Sequence, residues 1–410
     1  MSKLQIQPVS YVEARRLLLE AVRPVGIETV PVSECFGACL AEDLTAGEDV
    51  PPFDRSSYDG YAFRAEDTKN ASEDHPVTLR ILEEIPAGSV SHMPVTEGTA
   101  VKILTGAPIP EGADAVCMYE KTVYTDETVT LFQPFEAGNN IVAAGEDVRK
   151  GTLLAAAGTR IDAGLSGTIA AQNRETVKVF RRPRAGLIST GSELRPVGSG
   201  PQPGKIVDSN RYTLAGELRH LGCETVFLGT AADDRDEISS LIEKGLAACD
   251  FVVTTGGVSV GDYDLTDAAM EQIGAKILVR GIEMKPGMAC AYAVKGEKVI
   301  IGLSGNPASS LVNFHVAAAP AVRRICGLSQ DKWIPQTFPV VLESGFKKTS
   351  PYDRFLRGKL DLRSGTAKLL LSGNQGNVVL SSMIGSDVMA IVPAGSGPVE
   401  RGARLKAFLL

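Results

Sequence analysis

Short apolar, β-branched segments alternate with helical segments from Ala185 to Cys326, and this order constrains the fold more than any other feature. Such alternation is typical of a parallel, doubly wound α/β sheet. Ligands bind at the carboxyl ends of the strands in sheets of this kind. We therefore expect a functional site at the sheet edge where the predicted strands end in polar residues, which are Glu193, Asp208, Asp233, Asp264, Lys285 and Asn306.

The centre of this pattern is the segment from Asp250 to Asp264, which begins as a buried strand. The strand is followed by three glycines, Gly256, Gly257 and Gly261. Glycines let a ligand approach the backbone closely, and a helix that starts just after them would add an anion-binding N-terminus. Because Asp262 and Asp264 lie beside this position, an anion there would need a bridging cation. The alternative is a tight strand-to-helix turn with an aspartate cap.

Composition limits the class of protein. The 410 residues predict about two to four domains. No apolar run approaches the ~20 residues that span a bilayer, and the N-terminus lacks a signal-peptide pattern. A net charge of −7 argues against binding to nucleic acid or to an anionic membrane. Seven scattered cysteines without a CxxC pair favour reduced thiols and hence a cytoplasmic protein.

The part of the chain before the alternating region is predicted to be mainly β. A helix is expected at 10–22, and β signals dominate from Pro76 to Lys150. A proline-rich, aromatic loop at 50–62 carries Asp59, and a glycine–proline corner presents the Thr105 hydroxyl. The alternative for Asp59 is that it only starts an Asp-Gly turn at Gly60.

A basic hinge at 181–184 is interpreted as a solvated connector, and the chain beyond Trp333 is predicted to form a small β-barrel or sandwich. Arg354 and Arg357 near the start of this domain could reach an anion, or could be surface arginines on a strand. The predicted strands there are 337–343, 358–362, 367–371, 378–380, 387–392 and 403–410.

Several motifs occur together in a fixed order. They are Pro51-Pro-Phe-Asp-Arg-Ser-Ser-Tyr-Asp-Gly-Tyr-Ala62, Leu104-Thr-Gly-Ala-Pro-Ile-Pro110, Gly145-Glu-Asp-Val148, Ser189-Thr-Gly-Ser-Glu-Leu194, Thr255-Gly-Gly-Val-Ser-Val-Gly261, Lys285-Pro-Gly287 and Leu303-Ser-Gly-Asn-Pro307. With them the chain resembles the MoeA family of molybdopterin molybdenumtransferases, which includes the C-terminal part of gephyrin. The motifs extend from near residue 50 past residue 300, and the total length fits the whole family architecture.

The resemblance implies a multidomain α/β plus β fold and an elongated homodimer. The expected domains are an extended N-terminal domain at 1–45 and 146–180, an inserted β-rich domain at 46–145, a MogA-like doubly wound α/β domain at 181–327 and a C-terminal β-barrel at 328–410. An elongated subunit cannot easily fold its own inserted domain back over its own sheet edge, whereas a partner's domain can reach that edge across a two-fold interface. We therefore expect an active site shared between two subunits.

The activity that the resemblance implies is a step of molybdenum cofactor biosynthesis. Molybdate is inserted into adenylated molybdopterin with Mg²⁺, and AMP is released. Two anions that meet in an acidic cleft need a divalent ion, for which carboxylates are the expected ligands.

The resemblance also implies which residues form the active site. Catalytic roles are implied for Asp59, Thr105, Glu193, Asp233, Asp264 and Lys285, and the implied magnesium ligands are Glu193, Asp233 and Asp264. Substrate binding is implied for Thr190, Gly191, Ser192, Asp208, Gly256, Gly257, Ser259, Gly261, Pro286, Gly287, Gly305, Asn306, Pro307, Arg354 and Asn377. The amides around Gly256 and Gly257 are expected to cradle the pterin phosphate, and Lys285 to hold molybdate or phosphate.

Two positions depart from the family pattern. Many relatives have a lysine where this chain has Gly281, and the neighbouring Arg280 can supply that cation. A serine common in relatives is replaced by Asn377, which still offers a hydrogen bond.

Two other functions fit parts of the sequence. A molybdopterin adenylyltransferase needs only the α/β domain, so the first ~180 residues and the β-rich C-terminus argue against it. A gephyrin-like, non-catalytic scaffold would not need the acidic cluster. A separate adenylyltransferase remains a possible partner of the chain.

Overall fold

The computed structural model of the protein describes residues 8–258 and 265–410. The chain forms two compact units. The first takes its described residues from Met1–Glu42, Ala157–Asp162 and Thr176–Leu410, and the second consists of Asp43–Ala156 and Ala163–Glu175. Within the described ranges, no helix combines the length and the apolar character that crossing a membrane requires.

The first unit begins with an amphipathic helix, α1 (Tyr11–Ala21). Ser10 caps it, since its hydroxyl accepts a hydrogen bond from the Glu13 N–H at 3.1 Å. The buried face carries Ala14 and Leu18. Two strands follow, β1 (Ile27–Pro31) and β2 (Cys39–Leu40).

The second unit is built around a β-sheet, as the sequence predicts. Its elements are β3 (Leu44–Thr45), β4 (Arg55–Ser56), β5 (Gly60–Phe63), β6 (Val77–Ile85), β7 (Thr99–Ile103), β8 (Ala115–Met118), β9 (Thr122–Tyr124), β10 (Thr128–Leu131), β11 (Ile141–Val142), β12 (Leu153–Ala155) and α2 (Ala163–Ala171). Six strands form one sheet in the order β8-β5-β7-β6-β10-β9. Tyr61 and Phe63 of β5, which lies between β8 and β7, are fully buried in its core.

Gly60 has a different role from the one that its Asp-Gly pair suggests. It is the first residue of β5, and a Cβ atom there would lie 1.9 Å from the carbonyl oxygen of Cys117 on β8. The glycine is therefore required by the close approach of two strands, and the predicted Asp-Gly turn is wrong at this position.

The chain returns to the first unit with β13 (Thr176–Phe180), which pairs with β1 and β2 in a three-stranded sheet. The following connector is anchored, because Arg181 Nη1 donates a hydrogen bond of 2.7 Å to Asp250 Oδ2. The same carboxylate oxygen accepts a hydrogen bond from the backbone N–H of Arg184 at 2.7 Å. The interpretation of 181–184 as a solvated connector is therefore wrong for Arg181.

An α/β domain occupies the centre of the first unit and confirms the expected fold class. Its elements are β14 (Arg184–Thr190), β15 (Leu194–Arg195), β16 (Ile206–Val207), α3 (Asn210–His220), β17 (Glu224–Ala231), α4 (Arg235–Ala248), β18 (Phe251–Thr255), α5 (Thr266–Gln272), β19 (Lys276–Arg280), β20 (Met284–Lys285), β21 (Cys290–Lys295), β22 (Lys298–Leu303), α6 (Pro307–Asn313) and α7 (Ala319–Ile325). A π-helical segment, Phe314–Ala318, joins α6 to α7.

The main sheet of this domain has the order β17-β14-β18-β22-β21-β19. Strands β14, β17, β18 and β22 are parallel, but β21 is antiparallel to both of its neighbours. The sheet is therefore mixed, and the expectation of an all-parallel sheet is wrong at this edge. Because β19 runs in the same direction as β22, the loop that follows Arg280 still lies at the carboxyl edge of the parallel strands.

Helices cover both faces of this sheet, as a doubly wound fold requires. One core includes Leu214 and Leu218 of α3 and Val312 of α6. The other core includes Ile238 of α4 and Met270 of α5. These layers fix the strand ends that carry the site residues.

The C-terminal domain is a small barrel made of β23 (Phe338–Leu342), β24 (Asp353–Asp361), β25 (Lys368–Leu371), β26 (Val388–Val392) and β27 (Arg404–Leu409). The strands pair in the order β24-β25-β23-β27-β26, and β26 pairs back onto β24, which closes the barrel. The predicted strand at 378–380 is wrong, because a 3₁₀ turn at Leu380–Met383 replaces it. Strand β20 of the α/β domain pairs with β24, so the two domains share backbone hydrogen bonds.

Candidate functional site

A cleft of about 580 Å³ lies at the carboxyl edge of β14, β17, β18 and β22. Three carboxylates line it, those of Glu193, Asp208 and Asp233. No lysine, arginine or histidine lines it among the residues that the structure describes. We call it the acidic cleft, and its charge favours a ligand that brings a cation.

Two loops of the acidic cleft hold each other in place. The Ser192 N–H donates a hydrogen bond of 3.0 Å to Asp233 Oδ2, and the Asp233 N–H donates one of 3.1 Å to Ser192 Oγ. Glu193 folds back over Gly191, where a Cβ atom would lie 2.4 Å from Glu193 Oε2. The chain thus places the Glu193 and Asp233 carboxylates on adjacent, mutually braced loops.

Asp208 also lines the acidic cleft, but its oxygens are engaged by the protein. Oδ2 accepts a hydrogen bond of 2.6 Å from the Ser189 hydroxyl, and Oδ1 accepts one of 3.2 Å from the Arg211 N–H at the start of α3. Nearby, the Asn210 side chain donates to the Gly305 carbonyl oxygen at 2.8 Å. Asp208 therefore shapes the cleft wall and caps a helix rather than presenting two free oxygens.

The glycine pair after β18 approaches its neighbours closely. A Cβ atom on Gly256, whose φ is +98°, would lie 2.2 Å from the Thr190 carbonyl oxygen. The Gly256 N–H donates to the Leu303 carbonyl oxygen at 2.9 Å. This amide is thus not free to cradle a phosphate, which corrects the expectation for Gly256, although the residue lines the acidic cleft.

A second cleft of about 580 Å³ adjoins the first and shares Val258, Ala289, Ser304 and Asn306 with it. Its charged lining residues are Arg280, Lys285, Lys348, Arg354 and Asp267. Since four of these five are cationic, we call it the cationic cleft. Because the two clefts join and differ in charge, they suit two ligands that meet at the junction. One would bind the acidic cleft with a metal ion, and the other would be an oxyanion in the cationic cleft.

Arg280 does not act as a free cation in this cleft. Its guanidinium pairs with Asp267 of α5 at 3.3 Å and also with Glu271 of the same helix. The expectation that Arg280 replaces the missing lysine at Gly281 is therefore not supported by its contacts.

The barrel contributes arginines of two kinds. Arg354 lines the cationic cleft and lies over the Phe346 ring, 5.4 Å from its centroid. Arg357 is fully buried, so the surface alternative is wrong for it. Its Nε donates to Ser382 Oγ at 3.0 Å, and its Nη1 has no hydrogen-bond partner among the residues that the structure describes. Burial lowers its pKa to about 10.

In the second unit, Asp59 and Thr105 are brought together. Asp59 Oδ1 accepts hydrogen bonds of 2.7 Å from both the N–H and the hydroxyl of Thr105. These bonds, that of the backbone N–H foremost, hold the pKa of Asp59 below its ordinary value. Both side chains are exposed, and the two hydrogen bonds join residues that lie 46 positions apart in the sequence.

The structure assigns most of the predicted site residues to the two clefts. The acidic cleft contains Thr190, Gly191, Glu193, Asp208, Asp233, Gly256, Gly257, Gly305, Asn306 and Pro307. The cationic cleft contains Lys285, Pro286, Gly287, Asn306, Arg354 and Asn377. Ser259, Gly261 and Asp264 lie outside the described residues. The sequence reasoning missed Lys348, Ser304 and Ser309, which also line the cationic cleft.

The donors in the acidic cleft suit a hard divalent cation. Carboxylate oxygens are the ligands that Mg²⁺ prefers, and the Glu193 and Asp233 side chains line the same cleft. Within residues 8–258 and 265–410, no group of three or more His, Cys, Asp or Glu residues forms a metal site. Two of the three predicted ligands are thus placed at the cleft, and the third, Asp264, is not described.

Models of three protein families match the chain. The MoeA N-terminal region (domain I and II) matches residues 9–172, a probable molybdopterin binding domain matches residues 186–324, and the MoeA C-terminal region (domain IV) matches residues 339–410. The central match covers the α/β domain, which supplies most of the residues that line the two clefts.

Curated relatives and solved structures agree with these matches. The molybdopterin molybdenumtransferase of Bacillus subtilis is 34% identical over 413 residues, covering 98% of this chain and 94% of the relative. The enzyme of the same name from Staphylococcus aureus is 34% identical over 98% of this chain and 96% of its own. A molybdopterin biosynthesis MoeA protein from Pyrococcus horikoshii has a TM-score of 0.84 at 32% identity, covering 98% of this chain and 100% of that one.

The family matches and the relatives define a transferase of molybdenum cofactor biosynthesis, whose α/β domain matches a probable molybdopterin binding domain and lies in the sequence between β-rich segments. The chain belongs to the MoeA family of molybdopterin molybdenumtransferases, whose members insert molybdenum into molybdopterin.

Proposed function

We propose that this enzyme transfers molybdate to adenylated molybdopterin in a magnesium-dependent reaction that releases AMP, with both clefts in use. The observation that carries this proposal is the junction of an acidic and a cationic cleft through four common residues. The adenylated pterin, with its pyrophosphate, occupies the acidic cleft together with Mg²⁺. Molybdate, a dianion, occupies the cationic cleft.

Glu193, Asp233 and Asp264 would hold the magnesium ion, directly or through water. When bound, the ion offsets negative charge on the pyrophosphate as its P–O bond breaks. The Ser192–Asp233 hydrogen bonds orient the Asp233 carboxylate before the ligand arrives, so little ordering remains to be done on binding.

Lys285 and Arg354 would bind the molybdate oxygens, and Asn377 would add a hydrogen bond. Lys285 comes from the α/β domain, whereas Arg354 and Asn377 come from the barrel, so the oxyanion is held between two domains of the first unit. The shared residues Ser304 and Asn306 lie where the two ligands meet. In this proposal the oxyanion binds next to the pterin dithiolene that receives it.

We further propose that the enzyme is a cytoplasmic homodimer and that Asp59 and Thr105 act in the active site of the partner subunit. The Asp59–Thr105 hydrogen bonds support a prearranged, exposed pair. Six buried cysteines, Cys39, Cys117, Cys223, Cys249, Cys290 and Cys326, form no disulfide, as expected in a reducing compartment. A separate adenylyltransferase would deliver the adenylated substrate.

The test measures AMP release by the purified enzyme with adenylated molybdopterin, Mg²⁺ and molybdate. We expect Asp233→Asn and Asp264→Asn to abolish molybdate-dependent AMP release while the adenylated substrate still binds. In Asp233→Asn, the amide oxygen of the new side chain can still accept the Ser192 hydrogen bond, so the loop should keep its shape.

Asp234→Asn is the matched control. Asp234 is the adjacent carboxylate, it caps α4 through a hydrogen bond of 2.8 Å from the Glu237 N–H, and it does not line the acidic cleft. Asparagine is an equally good cap, so this variant should release AMP like the wild type. Full turnover of Asp233→Asn and Asp264→Asn at limiting magnesium would contradict the proposed metal site.

The two rival functions make different predictions in this assay. An adenylyltransferase would consume ATP with unadenylated molybdopterin, and a scaffold would release no AMP. The matches of the N-terminal and C-terminal family models outside the α/β domain favour the transferase over the free adenylyltransferase.

A further inference from the structure

The cationic cleft contains one lysine whose role is not covered by the site described above, Lys348. Of the cations that line the cleft, Arg280 has its charge offset by Asp267 and Glu271. Lys285 and Lys348 form no ion pair within residues 8–258 and 265–410, and neither does Arg354. Three positive charges that line this cleft therefore have no ion-pair partner among the described residues.

The loop that carries Lys348 is held on both sides of it. Phe346 exchanges backbone hydrogen bonds of 2.7 and 2.8 Å with Val399, and the Gly395 N–H donates to the Ser350 carbonyl oxygen at 2.9 Å. Arg354 Nη2 also donates to the Thr349 carbonyl oxygen at 3.4 Å. These bonds position the Lys348 backbone, so that side-chain rotation alone decides where its ammonium group lies.

The two lysines reach the cleft from different domains. Lys285 ends β20 of the α/β domain, and Lys348 precedes β24 of the barrel. Because β20 pairs with β24, the two segments keep a fixed relation to each other. A lysine ammonium is a compact charge that adapts to an oxyanion, so Lys285 and Lys348 together with Arg354 suit a dianion better than a monoanion.

We propose that Lys348 is the second ammonium group of the oxyanion site and makes this site select tetrahedral dianions over monoanions. This inference rests on the proposed binding of molybdate in the cationic cleft. Arg280 takes no part, since its guanidinium is held by α5. The barrel domain thereby forms one wall of the cleft and also makes the site prefer dianions to monoanions.

The test is calorimetric titration of the full-length protein with sodium molybdate, for the wild type, Lys348→Ala, Lys348→Arg and Lys347→Ala. Lys347 is the matched control, because it is the preceding exposed lysine and does not line the cleft. Loss of one partly solvated charge contact should weaken molybdate binding about tenfold in Lys348→Ala and raise KM for molybdate in AMP release. Lys348→Arg should restore much of the affinity, and Lys347→Ala should bind as the wild type does.

Competition with other anions tests the selectivity. Sulfate, a tetrahedral dianion, should displace molybdate from the wild type at much lower concentration than perchlorate, a tetrahedral monoanion. In Lys348→Ala the concentrations of the two anions that displace molybdate should be more similar. If Lys348→Ala and the wild type bind molybdate with equal affinity, the role assigned to Lys348 is wrong, and the proposed function is not affected. Equal weakening in the two alanine variants would overturn it too, since it would show a general effect of surface charge. A wild type that neither binds molybdate nor releases AMP would overturn the proposed function itself.

Discussion

Gly256 and Gly305 line the same acidic cleft but differ in the space around them. A Cβ atom on Gly256 would lie 2.2 Å from the Thr190 carbonyl oxygen, in a backbone conformation with φ +98°. We expect Gly256→Ala to lower the free energy of unfolding by about 2 kcal/mol or more, because backbone atoms on two strands would have to separate. Urea denaturation followed by the fluorescence of Trp333, the only tryptophan, measures this loss.

Gly305→Ala is the matched control for stability. A Cβ atom there would meet the Gly256 Cα at 3.5 Å, which is an ordinary contact. Its urea midpoint should therefore stay close to that of the wild type. If Gly256→Ala is as stable as Gly305→Ala, the backbone at the end of β18 can shift to make room for a methyl group despite its close contacts.

Single residues could be predicted from the sequence where their position follows from a strand end. Glu193 and Asp233 line the acidic cleft because they follow β14 and β17 at the same sheet edge, and Lys285 lines the cationic cleft a few residues after β19. The pairing of Arg280 with Asp267 and Glu271 could not be predicted from the sequence, since it depends on how α5 packs beside β19. Lys348 was missed because it has no motif and reaches the cleft only through the pairing of β20 with β24.

At the scale of elements, the connector between β13 and β14 is tied to the start of β18 through Arg181 and Asp250. Burial acts to raise the pKa of Asp250, but the hydrogen bonds from Arg181 and from the Arg184 N–H hold it below its ordinary value. Because the unfolded state then binds the proton more readily, this stabilisation is present above the unfolded pKa of about 4 and is lost as the pH falls through the folded pKa.

We expect Asp250→Asn to lower the free energy of unfolding by about 1 kcal/mol at pH 7, since the Arg181 pair is partly solvated. The difference between variant and wild type should shrink as the pH falls below 4. Thermal unfolding at pH 7 and pH 3.5 measures both values. Asp126→Asn, which removes an exposed loop carboxylate, serves as the control and should change neither. A difference that is the same at both pH values would show that the charge of Asp250 does not stabilise the connector.

Most elements of the α/β domain could be predicted because the alternation of strand and helix is strong and each element has a clear start. Strand β21 was missed, although Gly296 between two apolar runs, with φ +61°, is a hairpin signal. The segment 378–380 was wrongly predicted as a strand because an apolar triplet cannot distinguish a strand from a 3₁₀ turn. The π-helical segment Phe314–Ala318 has no sequence signal, since only hydrogen-bond geometry distinguishes it from an α-helix.

At the scale of the whole molecule, the active site is proposed to need two copies of the chain. Asp59 belongs to the second unit, whereas Asp264 lies in the sequence between β18 and α5, which both belong to the first unit. Asp59→Asn should leave its loop intact, because the amide oxygen can still accept both hydrogen bonds from Thr105. Each of the variants Asp59→Asn and Asp264→Asn is expected to be inactive alone.

Coexpression of these two variants with different affinity tags tests the shared site. In a mixed dimer, one site would carry both substitutions and the other would carry neither, so activity should return. Unbiased assembly makes about half of the dimers mixed, each with one intact site of two, and AMP release should recover to about a quarter of the wild-type rate. If dimers shown by both tags to be mixed remain inactive, Asp59 and Asp264 act within one chain, because only separate subunits allow one substitution to be complemented by the other.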